Sequence, residues 1–282
     1  MHRDAKPWAL FLSFVCPHPP YTAPQELFDY YVHQELPLPP QWREDEWPHH
    51  PALDYFRRYF SYEAPFTEDE LHTLLAAYYG VCTYLDAQIG RVLDTLSTLG
   101  LDQNTRVIYA SDHGESAGAR GMVGKFTMYE ESAAVPLILA GPDVPRGQVV
   151  HTPVNLVDAY QTAVECVGAA PAEEDAALPG ISWWQSAQQP DADRTVLSEY
   201  HALGSENAVF MLRSPRHKYV YHVGAPPQLF DMDKDPYERV DLGTDMEYAD
   251  VLAEFEQELR GLLDPESVDA QAKADQNAKV EA

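Results

Sequence analysis

The alternation of apolar and polar positions divides this chain into elements before any single residue is considered. Residues Trp8-Ala-Leu-Phe-Leu-Ser-Phe-Val15 form one continuous apolar run, the pattern of a central parallel strand buried on both faces. A helical period follows at Leu71, Leu74, Leu75, Tyr78, Cys82, Leu85, Ile89, Val92, Leu93 and Leu96. The Thr67-Glu-Asp-Glu70 capping box opens it and Gly100 stops it, so one long amphipathic helix with a core-facing stripe is predicted. Val107-Ile-Tyr-Ala110 is a second strand ending in a polar switch at Ser111, and it completes a βαβ-like unit. Val135–Ala140 is a further core strand, preceded by a short helix around Met128–Ser132. A helix runs from Asn155 or Asp158 to Val167. Residues 169–194, rich in Ala, Pro and Asp, read as a surface connection. Thr195–Tyr200, Ala208–Arg213 and Lys218–Val223 are short strands of an antiparallel sheet. A final helix covers Glu247–Leu263, and the polar residues 264–282 are expected to be disordered. Residues 25–66 read as a long irregular excursion with short helices.

Composition narrows the picture. With 19 Lys plus Arg against 45 Asp plus Glu, the 282 residues carry a formal charge of −26. Such a surface repels polyanions and argues against nucleic-acid binding. It suits a small cationic substrate or a high-salt habitat, and the shortage of Lys leans toward the latter. No apolar segment is long enough to span a bilayer, and the first residues lack the apolar stretch of a signal peptide. A cytoplasmic location is the expectation. Cys16, Cys82 and Cys166 show no CxxC spacing and read as ordinary half-buried thiols.

The chemistry concentrates after Ala110. Asp112 and His113 stand at the carboxyl end of a strand, where open α/β sheets place ligand sites. Both can turn toward one cation. Gly114, Gly118, Gly121 and Gly124 let the backbone double back and return Lys125 to the same point. An ammonium beside a cation is unfavourable unless an anion lies between them, which suggests a sulfuryl or phosphoryl group. His18 lies between prolines in Cys16-Pro-His-Pro-Pro-Tyr21 and is held in an extended loop. The aromatics of residues 25–66 offer faces that attract cations, and His49 and His50 are weighed as metal ligands there. Asp231, Asp233 and Asp235 imitate a calcium loop, but Pro236 and Leu242 stand where Gly and Glu are required.

Taken together, Ser111-Asp-His-Gly-Glu115, the glycine-rich return to Lys125 and Met128-Tyr-Glu130 resemble the type I sulfatases of the alkaline-phosphatase superfamily. The likeness is to the choline-sulfatase and phosphonate-monoester-hydrolase branch. Pro17–Tyr21, Val154–Asp158, Leu178–Gly180, Ser198–His201 and Leu229–Asp231 with Asp235 and Pro236 extend it in family order across residues 6–245.

The resemblance implies an alkaline-phosphatase-like three-layer α/β sandwich, incomplete at its N-terminus, with a small C-terminal antiparallel sheet. Residue spacing by itself supports α/β and no more. The implied division is a sulfatase-like core over 1–168, the connection 169–194, an α+β subdomain over 195–263 and the tail 264–282. Function, on this resemblance, is hydrolysis of a sulfuric ester, with a phosphonate monoester or phosphodiester as alternative substrate and a non-catalytic remnant as the third possibility. Asp112 and His113 would ligate one divalent cation, calcium or alternatively manganese. Lys125 would bind a sulfuryl oxygen, His18 would assist the departing alkoxide, and Glu199 and His201 would approach the alcohol side. The family's formylglycine nucleophile arises in a Cys- or Ser-x-Pro-x-Arg segment that this sequence does not contain. The chain alone is therefore expected to be inactive. A homo-oligomer or an N-terminal half supplied from elsewhere stays open.

Overall fold

A computed structural model describes residues 8–175 and 177–280. Along the chain run α1 (Gln25–Val32), α2 (Pro51–Phe60), α3 (Glu68–Thr98), β1 (Val107–Ala110), α4 (Glu130–Ala133), β2 (Leu137–Ala140), α5 (Asp158–Cys166) and α6 (Trp183–Gln188). They are followed by β3 (Val196–Tyr200), β4 (Val209–Arg213), β5 (His217–His222), β6 (Gln228–Asp231), α7 (Ala249–Leu262) and α8 (Pro265–Val280). These α/β elements gather into two compact units that interleave along the sequence. The first holds residues 1–36, 72–112 and 136–192, and the second holds 37–71, 113–135 and 193–282. The sequence had suggested boundaries near 168 and 194 instead.

α3 keeps its predicted start, in residues that belong to the second unit; from residue 72 onward it belongs to the first. Thr67 Oγ1 accepts from the Glu70 amide and Glu70 Oε2 from the Thr67 amide, so two otherwise orphaned donors are satisfied. Its N-terminal half buries Leu71, Leu75, Ala76 and Val81, whereas Val92 and Leu93 farther along the stripe are exposed. β1 pairs with β2 antiparallel, Val107 opposite Ala140 and Ala110 opposite Leu137. The expected βαβ unit is thus replaced by a two-stranded antiparallel ribbon. The apolar run at residues 8–15 is not a strand: every residue in it is exposed, and it joins no ladder. Its composition fits a buried strand, but a strand exists only through neighbours that pair with it. The connection 169–194 is more ordered than expected, because Ser182 caps α6 and Trp183 donates its amide to Thr162 Oγ1 of α5. The Arg106 guanidinium lies 4.6 Å over the Trp184 ring.

The second unit is built on the sheet β3-β4-β5-β6, antiparallel throughout. Side chains alternate across it. Phe210, Leu212, Tyr219 and Leu229 face α7, where Phe255 and Leu259 complete one core cluster. Val209, Met211 and Val220 face the other way onto Met128. The fourth strand, β6, was read from sequence only as a short motif. The tail over 265–280 forms α8, contrary to the expected disorder, and Asp269 on it accepts the amide of Ala208. Residues 281–282 of that expected tail lie outside the described residues. Asp231, Asp233 and Asp235 hold no calcium loop; Asp231 instead pairs with Arg216 at 2.7 Å.

Two groups in this unit predict acid lability. Burial, and then the nearby His50 ring, push His222 down to about 3, with a hydrogen bond to Gln228 opposing them. The folded state thereby refuses a proton that the unfolded chain takes near 6.5. That stability, of order 4 kcal/mol, is present above pH 6.5 and drains as pH falls toward 3. Arg216 holds Asp231 near 2, so its contribution is lost over a lower window, from 3.8 downward. The expected result is a His222 imidazole resonance with no inflection between pH 7.5 and 4.5. An inflection near 6.5 would show that the ring is not buried as described.

Candidate functional site

The loop after β1 is organised by hydrogen bonds that its own sequence supplies. Gly114 donates its amide to Ser132 O at 2.8 Å, and Ser116 donates to Gly124 O at 2.8 Å. The Glu115 carboxylate accepts from both Ala117 N and Gly124 N, closing the neck of the return. Lys125 is thereby held one residue beyond a point bonded to Glu115 and Ser116, so the predicted doubling back is present. Two glycines are required by space. A Cβ at Gly114 would lie 2.1 Å from the Glu131 carbonyl oxygen, and one at Gly121, where φ is +70°, would lie 2.2 Å from the Trp47 ring.

Between the two arms sits Arg120, which no motif or spacing singles out. It takes a positive φ of 54° and is fully buried. Its guanidinium donates to Glu131 at 2.7 Å and to Tyr237 O at 2.6 Å, and lies 3.8 Å over the Tyr129 ring. Its carbonyl accepts from Arg57 Nη2. These contacts hold the left-handed backbone that an unsupported arginine would avoid. Behind the loop, Lys218 reaches Glu130, Glu238 Oε1 at 2.6 Å and Met128 O at 2.9 Å. The Glu238 contact is close but lacks hydrogen-bond alignment, so it counts as an ion pair only. Burial pushes the Glu238 carboxyl up and the Lys218 ammonium pulls it back.

Asp112 lies at the exit of β1 in the first unit, exposed, and half-buried His113 begins the second. His113 Nδ1 lies 2.8 Å from Gly114 O. A carbonyl only accepts, so Nδ1 carries the proton and Nε2 the lone pair, the arrangement a metal-ligating imidazole requires. A carboxylate oxygen and an imidazole nitrogen suit a divalent cation. No group of three or more Asp, Glu, His or Cys side chains placed to hold a metal ion is present among the described residues. Lys125 is half-buried, and no carboxylate lies within ion-pair distance of its Nζ among the described residues, despite the excess of acids. Phe126 follows it, stacked on Phe60 at 5.0 Å and tilted against Tyr200 at 6.0 Å. The residue 25–66 excursion thus contributes Phe60 to the packing of Phe126, whose ring lies 5.8 Å from Lys125 Nζ.

Other candidates are placed differently. His18 is in the first unit, exposed, in a turn closed by its amide donating to Val15 O rather than in an extended loop. Its Nδ1 donates to Pro19 O at 2.7 Å, leaving Nε2 as the basic nitrogen. Glu199 and His201 are brought together, 3.2 Å apart, but strand alternation puts Glu199 opposite Phe210 on the α7 side of the sheet. Their neighbour Tyr200 is the residue that faces Phe126. Glu199 and His201 therefore face away from the lysine loop and pair with each other. His49 and His50 do not form a ligand set: His50 caps α2 through Nδ1 and donates from Nε2 to Pro226 O. The three cysteines are free and half-buried.

Glu115 was missed because nothing in its spacing distinguishes it from a solvated acid. Replacing it with alanine leaves the Gly124 and Ala117 amides without an acceptor, a loss of about 1–3 kcal/mol in local opening. Amide exchange at Gly124 is expected to quicken by at least tenfold in Glu115→Ala and far less in Glu115→Gln. Equal rates in all three proteins would remove the carboxylate from the loop's support.

Known proteins resemble this chain over most of its length. A family model described as Sulfatase matches residues 1–169, and one described as N-sulphoglucosamine sulphohydrolase, C-terminal, matches residues 118–264. The choline-sulfatase of Rhizobium meliloti (strain 1021) is 31% identical over 249 residues, covering 85% of this chain and 47% of its own. Arylsulfatase K of Canis lupus familiaris is 32% identical over 294 residues, covering 95% and 54%. The solved phosphonate monoester hydrolase of Silicibacter pomeroyi superposes with a TM-score of 0.75 at 29% identity, covering 86% of this chain and 53% of that one. The chain spans about half the length of the curated relatives it matches.

Proposed function

This chain belongs to the sulfatase family, and from that premise we propose that it carries the metal- and anion-binding half of a hydrolase acting on sulfuric esters. Asp112 and His113 Nε2 would hold the divalent cation, calcium or alternatively manganese. That cation, when bound, neutralises charge building on the sulfuryl oxygens. The Lys125 ammonium meets a sulfuryl oxygen from the protein side, where the glycine return and Glu115 keep it placed. His18 would assist the departing alkoxide. The Phe126 ring lies 5.8 Å from the Lys125 ammonium and itself packs on Phe60 and Tyr200, so apolar surface lies near the lysine.

The observation that carries this reading is Lys125 itself, a half-buried ammonium with no carboxylate partner among the described residues of a chain with charge −26. An unpaired cation held on a braced loop is suited to an anion brought from outside. A phosphonate monoester is the second reading, favoured by the superposition on the phosphonate monoester hydrolase. With no Cys- or Ser-x-Pro-x-Arg segment in the sequence, the polypeptide by itself is expected to turn over neither ester. The test compares an aryl sulfate and an aryl phosphonate with the chain alone and with the chain joined to the preceding portion of a relative. Turnover by the purified chain alone would sink the half-site reading, and a phosphonate rate exceeding the sulfate rate in the joined protein would favour the second substrate.

A further inference from the structure

We propose that the second unit holds a binding site for a small, neutral hydrogen-bond donor, a water or the hydroxyl of a one-carbon alcohol, anchored on His222 and Thr127. A cavity of about 30 Å³ is lined by residues of α2, β4, β5 and β6 and by the segment that follows Lys125. All of its lining residues belong to the second unit. Leu53, Phe56, Val209, Val220 and Phe230 make its walls largely apolar. His222, on β5, is 7% exposed. Its Nε2 lies 3.0 Å from Gln228 Oε1, and Gln228 donates from its own Nε2 to the Tyr129 hydroxyl. An amide oxygen only accepts, so His222 Nε2 carries the proton and Nδ1 the lone pair. That Nδ1 is buried and has no hydrogen-bond partner among the described residues, and the same holds for Thr127 Oγ1. The two atoms therefore do not bond to each other. His50 does not serve Nδ1 either. Its ring lies 4.4 Å from that of His222, but its Nδ1 accepts from the Ala52 amide and its Nε2 donates to Pro226 O.

Folded chains rarely bury polar atoms unpaired, because each forfeits the hydrogen bond it had in water. Two such atoms on the wall of one cavity point to what the cavity takes, and the wall limits the choice. Nδ1 can only accept, so the occupant must donate, which rules out anions and carbonyl compounds. No carboxylate lines the cavity, and apolar walls make an unpaired cation costly. One water needs roughly 10–15 Å³ of such space, so two waters or one methanol-sized molecule fit and a ring does not. A third polar group is at hand in Ser205, whose hydroxyl gives its proton to Asn207 O and keeps lone pairs to accept with. A space this small lets one or two such molecules reach from His222 to Thr127. The occupant thereby ties β5 to the loop two residues beyond Lys125. This site is independent of the ester-hydrolase reading and stands or falls without it.

The experiment uses the full 282-residue chain with nitrogen-15 in its histidines, at pH 7.5. The ring spectrum of His222 should show a protonated Nε2 and a bare Nδ1. A nuclear Overhauser contact is then sought between the His222 ring proton beside Nδ1 and water, or carbon-13 methanol added in rising amount. The expected result is a long-lived contact with one of the two. Water that persists beside added methanol assigns the site to water, methanol that replaces it assigns the site to an alcohol hydroxyl, and either holds the proposal. Val209→Ile adds a methylene to the wall and should weaken the contact at least tenfold. Thr127→Val keeps the shape, removes one anchor, and should weaken it at least threefold even if the first variant fails to fold. The proposal is overturned by a proton on Nδ1, by no contact with either probe, or by a contact that Thr127→Val leaves unchanged.

Discussion

Replacing Lys218 with methionine is expected to cost the second unit about 3–5 kcal/mol. The side chain has no exposed surface, and Nζ is its only polar atom, held by Glu130, Glu238 and the Met128 carbonyl. Methionine fills most of the space, so the loss is not a cavity. It is the exposure of two carboxylates to each other where one of them, Glu238, is sealed from water. Burial already pushes Glu238 above its ordinary 4.5, and without the ammonium it rises further. The folded variant then holds a proton that the unfolded chain releases above about 4.5. Stability is favoured below that value and lost as pH rises through the raised folded value. The penalty should accordingly be larger at pH 8 than at pH 5, and Lys218→Met with Glu238→Gln should recover at least half of it. Urea unfolding at the two pH values reads all of this, and a penalty under about 1 kcal/mol at pH 8 would show the ion pairs to be solvated rather than buried.

Lys218 also shows where the sequence stops being legible. Its partners lie far off in the chain, Met128 at a separation of 90 residues, and no periodic signal links a strand lysine to a loop carbonyl. Arg120 is the same case. Its sequence neighbours are Ala119 and Gly121, while the groups that hold it are Glu131, Tyr129 and Tyr237. By contrast α3 was readable from end to end, because a capping box and a helical period are local. Three strands of the second unit were readable too, since alternation and turns are local; β6 was hidden as a short motif. The run at residues 8–15 failed differently. Its pattern names the environment a strand needs, and the described residues do not supply that environment. In the same way Glu199 was legible as a strand-end acid, but the face it occupies depends on register with Phe210. The doubling back of the loop before Lys125 was legible because glycines mark where a backbone must turn.

Lys125→Ala is expected to lower kcat/KM by about 100- to 1,000-fold, the usual cost of removing one donor aimed at developing charge, in the chain joined to its preceding portion. Stability should not follow, because the lysine has no ion-pair partner among the described residues to leave behind, its Nζ lying 5.8 Å over the Phe126 ring. Where the loss falls separates two roles. If the ammonium binds the ester and the transition state alike, KM rises and kcat holds; if it meets charge that builds only during departure of the alkoxide, kcat falls. The second is expected, because an ammonium aimed at the sulfuryl oxygens is worth more as charge builds on them. Lys125→Arg keeps the charge but presents a planar fork on a longer stem, and should recover only part of the rate. A kcat/KM within threefold of the parent in Lys125→Ala would take the lysine out of the site. The glycine return and the Glu115 brace would then serve the fold of the loop and nothing beyond it.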